Sequence, residues 1–511
     1  MIKLPYDKGL GELLEACASQ YEDAPFLVEA ESGRELTYAQ FNALTNRFAR
    51  GLLALGVKPG DFVGIMLNNC HEYMIASYAL KKVAAVEVSV NSNFRGPSLA
   101  RMLNLTELEI LITEQAFAQA LADVRAELEH LKQLIAVDVF EPLQGTQARH
   151  FDGLYHDDDS DLAVAADPCD TAVILFTSGT TGVSKGCTIP HRSSIRAAET
   201  MIEAFELTSA DAVYSPYPLF HVAAAQYDVL PAMMVGGRAI LRKGFSLSNY
   251  WQDLKRYRAT WSMLLGSVMQ LLWSAPEVAE EREHSLRFLW GTPLPIDHDA
   301  FERRFGLRLA RGGGYGSTDA GSVAYPMWDK TGAGRVTPDY EVQIWDEQGQ
   351  ALPPGQAGEL MIRQRERGLM ASSYFGQPNV TAEAWSGQWF HSGDLCKLDQ
   401  AGDLFWLARM SERIRVKGEM VSAYEIEEVV LSHESVSDCA VVGLPDGIGE
   451  ETVHAAVKLR AGHDFSLEEL RDYAQGKLSR FMMPTSLSLH QAFPMTPSGK
   501  ISKAELLKQL G

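Results

Sequence analysis

Thr171-Ala172-Val173-Ile174-Leu175-Phe176-Thr177-Ser178-Gly179-Thr180-Thr181-Gly182-Val183-Ser184-Lys185-Gly186 joins an apolar run to a loop of hydroxyls, glycines and one lysine. The run from Thr171 to Phe176 has the length and continuity of a buried strand. The loop after it has the ingredients of a phosphate cradle. Glycine lets backbone N–H groups converge on oxygens, hydroxyls donate, and lysine neutralises. The loop is not a Walker A sequence, which needs Gly immediately before Lys where Ser184 stands, and no GxGxxG is present. Taken alone, an ordinary Ser/Thr/Gly loop fits the same composition equally well.

Upstream, LTYAQFNALTNRFARGLLALGV from Leu36 repeats apolar residues at three and four and reads as a helix, with Thr37 placed to cap it. The short apolar runs FVGIML and AAVEVSV alternate with helical stretches, which points to an α/β fold with a mainly parallel sheet. HDDDSD, from His156 to Asp161, reads as a solvated loop. Between Tyr340 and Arg363, two strand-like runs separated by turn residues predict a local antiparallel, β-rich subdomain. Beyond residue 410, helix-like YEIEEVVLSH and SLEELRDYAQGKLSR and strand-like DCAVVGL and VHAAVKL are enough for a small α/β domain. The expected fold is α/β. A large N-terminal domain, residues 1–410, carries mainly parallel sheets and the β-rich subdomain, and a small C-terminal domain spans residues 411–511.

Among 511 residues, 46 Lys and Arg stand against 66 Asp and Glu, a formal net charge of −20. That balance opposes binding to nucleic acid or to an anionic membrane surface. It does not oppose ATP, because a local group of cations and N–H donors binds phosphate inside an acidic protein. Six scattered cysteines form no CxxC pair or zinc spacing, which predicts a reducing compartment and no structural metal. The amino terminus has no signal-peptide h-region, and no apolar run approaches the roughly 18 to 20 residues of a membrane span. The expected location is cytoplasmic. The oligomeric state, monomer or homodimer, stays open.

The loop is not alone. Gly314-Tyr315-Gly316-Ser317-Thr318-Asp319, Gly358-Glu359-Leu360, GQWFHSGD from Gly387 to Asp394, RMSERIRVKGEMVSAYEIE from Arg409 to Glu427, and Pro494-Met495-Thr496-Pro497-Ser498-Gly499-Lys500 come after it in that order. Together with the loop they resemble the motifs of the adenylate-forming superfamily, which contains acyl-CoA synthetases, carrier-protein adenylation domains and luciferases. The resemblance spans about Leu36 to Lys503. Within the superfamily the chain resembles free-standing acyl-CoA ligases, with its narrower likeness to crotonobetaine or carnitine CoA ligases.

The resemblance implies an AMP-forming acyl-CoA ligase using ATP, Mg²⁺ and coenzyme A on a small carboxylic acid. Thr177, Ser178, Gly179, Thr180, Thr181 and Lys185 are implied to cradle phosphate. Tyr315 is implied to stack on adenine, Thr318 to donate to the α-phosphate, and Asp319 to hold Mg²⁺, a hard cation that prefers oxygen. Asp319 stands where the family usually has Glu. Asp394 is implied to accept both ribose hydroxyls, with Arg409 on the nucleotide side of a hinge. Lys500 is implied to neutralise the acid and the α-phosphate as they meet. His221 matches a position beside the acyl pocket, although a lone His is as often structural. Val222, Gln226, Gly291, Thr292, Gly313 and Gly314 belong to the family's acyl-facing segments, and Gly312 to Gly314 are read as leaving room beside the nucleotide. Trp261, Trp290 and Tyr315 could offer aromatic faces to a quaternary ammonium. After adenylation the mobile C-terminal domain is implied to rotate and present the Gly418 turn to the thiol.

Two alternatives stay open. One is a stand-alone enzyme that loads a carrier protein's phosphopantetheine arm. The other is a non-catalytic nucleotide-binding descendant, motivated by the departures at Ser184, Asp319, Ser411 and Met482.

Overall fold

The computed structural model describes residues 8–510 apart from 139–140, 163, 178–184, 292–293, 295–296, 331, 411–412, 417–418, 446–450 and 496–500. The chain divides into two compact units, Met1–Glu341 with Gln364–Gly387, and Val342–Arg363 with Gln388–Gly511.

In the first unit the described residues form a seven-stranded sheet. Its order is Gln147–His150, Gln133–Ala136, Ile110–Thr113, Phe62–Met66, Val86–Ser89, Thr171–Thr177 and Lys185–Pro190. All neighbours run parallel except the last pair, which is antiparallel. Parallel strands have to be covered on both faces, and these are. Val63, Ile65, Ile112 and Ile135 enter one apolar cluster, while Met66, Val88, Leu111, Leu134 and Ile174 enter another. Side chains alternate across a strand, so one continuous apolar run feeds two layers.

A second sheet runs Phe288–Trp290, Trp261–Met263, Ala212–Ser215, Arg238–Leu241, Pro25–Glu29 and Glu35–Thr37, parallel except for its last pair. The mainly parallel α/β fold read from the sequence is therefore the observed one. The helix anticipated from Leu36 occupies Tyr38–Ala54, and Thr37 caps it in a reciprocal box with Gln40. HDDDSD is exposed as expected and is also tied to that helix, since Arg50 donates to Ser160 O at 2.7 Å and Asn46 to Asp159 O at 2.8 Å.

The second unit opens with antiparallel strands Ala357–Gln364, Trp389–Leu398 and Asp403–Arg409, with Tyr340–Trp345 bonded to the first. Tyr340–Trp345 and Ala357–Gln364 are the two strand-like runs expected between Tyr340 and Arg363, and Trp389–Leu398 and Asp403–Arg409 extend the same sheet beyond that segment. The Arg413–Val416 and Glu419–Ser422 ribbon and the helix Ala423–Leu431 come next, then a sheet of Val436–Pro445, Glu451–Leu459 and Ser486–Leu489. Helix Leu467–Ala474 is capped by Ser466 against Glu469. It stops short of the predicted SLEELRDYAQGKLSR. Gln475 turns extended, and Gly476 takes φ +79°. A left-handed glycine there cannot continue the helix.

Candidate active site

Strand Thr171–Thr177 ends where the hydroxyl-rich loop begins, and Lys185 opens the antiparallel return strand, paired with Thr177. The Lys185 ammonium lies 4.7 Å from the centroid of Tyr374. This cation–π contact steadies the side chain without consuming a hydrogen bond. Cys187 lies two residues on, and alternation puts it on the same strand face. It is buried and donates its thiol to Asp319 Oδ1 at 2.7 Å. Burial, and then the negative charge of Asp319, pushes the Cys187 thiol well above its ordinary range, so the sulfur is the donor.

Asp319 sits in the turn of the hairpin Tyr315–Ser317 and Gly321–Tyr325. Two glycines are required there. A Cβ on Gly316 would lie 2.6 Å from Gly321 O, and Gly321 itself takes φ +73°. Only a residue without Cβ meets both demands freely. Ala371 N–H donates to Asp319 O at 2.8 Å, and the 372–375 segment runs along the return strand through Ser372 N to Thr188 O and Phe375 N to Gly186 O. Thr318 and Asp319, both half-buried, are thus fixed to the framework that carries Lys185. Tyr315 is 9% exposed.

The acyl-facing segments implied by the resemblance also meet in this unit. His221 is exposed and leads, through Val222, into a π-helix over Ala223–Val229, a rare form concentrated at functional sites. Gln226 is buried there, and Val222 packs on the apolar cluster of Leu175, Cys187, Ala371 and Tyr374. Tyr227, which sequence reasoning passed over, packs T-shaped against Trp290, with ring centroids 5.9 Å apart. Its hydroxyl lies 3.0 Å from where a Gly316 Cβ would be, and burial raises its pKa to about 12. Asp228 is fully buried with Ser215 donating to it at 2.6 Å, and burial drives its carboxyl far above the carboxylate range.

Two expectations are overturned. Gly312 leaves no room, because a Cβ there would meet Met327 Cβ at 2.8 Å and Met327 N at 2.9 Å; the glycine serves a close backbone pairing instead. Gly291 is likewise a contact position, its Cβ falling 1.7 Å from Leu264 O. Trp261 offers no face to a ligand, being 0% exposed and tilted against Phe288 in the core. Trp290 stands perpendicular to the Tyr227 ring and donates to Gly313 O at 3.1 Å.

In the second unit, Asp394 and Arg409 are direct partners across two strands. Asp394 is 2% exposed, and its Oδ1 accepts from Trp406 Nε1 at 2.8 Å and lies 3.2 Å from Arg409 Nε. A carboxylate so buried needs such donors to offset its lost hydration. Glu359, the acid of the Gly-Glu-Leu element, accepts from Gly393 N–H at 3.2 Å and pairs with His391 at 3.1 Å. It thereby clamps the turn in which Gly393 takes φ +67° immediately before Asp394. Gly358 beside it admits no side chain, a Cβ falling 2.3 Å from Trp345 O. Asp394 and Arg409 were legible as motif residues, but Trp406 was not. Cys187 carried one usable signal, its place two residues after Lys185 on a strand. Ser178, Gly179, Thr180, Thr181, Ser184, Thr292, Ser411, Gly418 and Lys500 lie outside the described residues.

Comparison with known proteins shows the family. Residues 14–375 match the AMP-binding enzyme family and residues 425–500 its C-terminal domain. A crotonobetaine/carnitine–CoA ligase of Salmonella choleraesuis strain SC-B67 is 30% identical over 98% of this chain and 99% of its own, and that of Salmonella typhi matches to the same extent. The anthranilate CoA ligase AuaEII with anthranoyl-AMP superposes with TM-score 0.90 at 22% identity, over 99% of this chain and 98% of that one. The o-succinylbenzoate CoA synthetase MenE from Bacillus subtilis, with its acyl-adenylate, gives 0.82 at 24% identity over 97% of each chain. The chain belongs to the AMP-binding enzyme family, within the adenylate-forming superfamily of acyl-CoA synthetases that its motifs resemble. The resemblance read from the sequence holds.

Proposed function

We propose that the protein condenses a small carboxylic acid with ATP to an acyl-adenylate and then passes the acyl group to coenzyme A. A carboxylate is a poor electrophile, since its leaving group would be oxide. In the first step its oxygen bonds to the α-phosphorus and the bond to pyrophosphate breaks. In the second the CoA sulfur attacks the acyl carbon, AMP departs with the bond electrons, and the thiol proton is released. The observation that carries this reading is the pinning of Asp319, the chain neighbour of Thr318, to the strand that Lys185 opens, which sets a carboxylate beside a hydroxyl-bearing residue on the framework that carries the ammonium. Such preorganised charge is the main resource for phosphoryl-group chemistry.

Thr177 and Lys185, with Ser178, Gly179, Thr180 and Thr181, are proposed to hold the phosphates. Tyr315 is proposed to take adenine, Asp394 and Arg409 the ribose, Lys500 the meeting anions, and His221 the mouth of the acyl pocket. Asp319 is proposed to hold Mg²⁺. Its Oδ2 has no hydrogen-bond partner among the described residues, and among those residues no three His, Cys, Asp or Glu side chains gather to form a metal site. One carboxylate with a spare oxygen fits Mg²⁺, which binds through one or two carboxylates plus substrate phosphates. Bound there, the ion would neutralise phosphate charge.

We place the functional hinge at residues 410–411, with residues 411–511 moving between the half-reactions. All six cysteines are free, which supports a reducing, cytoplasmic setting. No described helix is long and apolar enough to cross a membrane.

Acid-dependent exchange of labelled pyrophosphate into ATP tests the first step, scored over betaines, aryl acids and short to medium aliphatic acids. Thioester formation with free CoA distinguishes this enzyme from one that loads a carrier protein. Lys500→Ala should abolish exchange yet still convert a supplied acyl-adenylate to thioester, and equal loss of both half-reactions would refute the role of Lys500.

A further inference from the structure

Asp319 is held twice. Its carbonyl accepts from Ala371 N–H at 2.8 Å, which fixes the turn, and its Oδ1 accepts from the Cys187 thiol at 2.7 Å, which fixes the rotamer. Both anchors belong to segments that are themselves joined, because Cys187 and Tyr374 form a β-bridge beside the bonds of Phe375 to Gly186 and Ser372 to Thr188. The thiol is 0% exposed and takes no part in the chemistry proposed above. Thr177 Oγ1 lies 4.0 Å from the same sulfur, so the anchor sits at the root of the phosphate loop. An aspartate reaches one methylene less far than a glutamate, and its carboxylate points wherever its short side chain is tied.

We propose that Cys187 is a positioning residue for Asp319: its thiol engages Oδ1 and thereby leaves Oδ2 as the oxygen that binds the cation carried by ATP. The proposal rests on the reading of Asp319 as the Mg²⁺ residue. Partners that orient a metal-binding side chain are worth about tenfold to a hundredfold in metal affinity, and a weak S–H donor belongs at the lower end.

The test is calorimetric and needs no turnover. ATP binding is measured for the whole chain with excess Mg²⁺ and again with EDTA, and the ratio of the two dissociation constants gives the Mg²⁺-dependent gain. Cys187→Val keeps bulk without a donor and should cut that gain about tenfold. Cys187→Ser keeps a donor and should retain it. Binding in EDTA should be equal in all folded variants, as judged by near-UV circular dichroism. Asp319→Asn, measured alongside, separates the two ideas. If it leaves the gain intact, the metal reading fails and the proposal falls with it. If it abolishes the gain while Cys187→Val and Cys187→Ala both match the parent protein, the metal reading stands and the positioning role of Cys187 is overturned. Equal loss in Val, Ala and Ser variants would also overturn it, since that pattern follows packing and not donation.

Discussion

Asp394→Asn tests the ribose role proposed for Asp394 with the least disturbance to its surroundings. The native carboxylate is 2% exposed and holds Trp406 Nε1 at 2.8 Å and Arg409 Nε at 3.2 Å on one oxygen. Asparagine keeps an acceptor for the indole but removes the charge opposite Arg409 and turns one acceptor edge into a donor. A hydrogen bond to an ionised group contributes about 1.5–3 kcal/mol, so losing one at the ribose weakens nucleotide binding by about 10- to 150-fold. The Arg409 side chain is 43% exposed and stays hydrated when its partner is neutralised. The stability loss should therefore stay near about 1 kcal/mol, as for a partly exposed pair. Calorimetric titration with ATP, AMP and inorganic triphosphate reads the consequence. ATP and AMP should weaken by the same factor, and triphosphate, which has no ribose, should bind as before. Undiminished ATP affinity, or a loss of triphosphate affinity in step with ATP, would refute the reasoning.

Glu359→Ala deprives Gly393 N–H of its acceptor and should raise the KM for ATP. The unsatisfied donor should cost about 1 kcal/mol or somewhat more in urea denaturation. Glu359→Gln should recover most of the stability, and identical behaviour of the two variants would show the clamp to be idle. Gly316→Ala forces a Cβ to within 2.6 Å of Gly321 O. It should destabilise by about 1–3 kcal/mol, so a thermal midpoint equal to that of the parent protein contradicts the close approach. His191 is buried and neutral, its Nδ1 accepting from Leu10 N–H at 3.2 Å, and burial lowers its pKa from 6.5 to about 3. Between those values the unfolded chain binds the extra proton, so this contribution is complete above pH 6.5 and is lost as pH falls towards 3. From pH 7 to pH 5 the parent protein should lose about 2 kcal/mol more than His191→Gln, which can accept the same hydrogen bond without protonating. Parallel denaturation curves at the two pH values measure the difference directly.

Local physics wrote much of this protein into its sequence. The short apolar run from Val173 to Phe176 has the length of a buried strand, Thr37 with Gln40 caps a helix within four residues, and turn glycines mark the β-rich segment. The order of the motifs was enough to name the family, since each is a short run whose chemistry lies in adjacent residues. Tertiary structure alone decided what those residues touch. Cys187 and Asp319 are 132 positions apart, and Trp406 reaches Asp394 only because a strand register with bulges sets it there. The π-helix that presents Tyr227 escapes a 3.6-residue periodicity by construction, and Gly312 reads as open space until Met327 is seen against it. Periodicity and capping act over a few residues along the chain, whereas the partner of a buried carboxylate or thiol is fixed by which distant strands share a sheet.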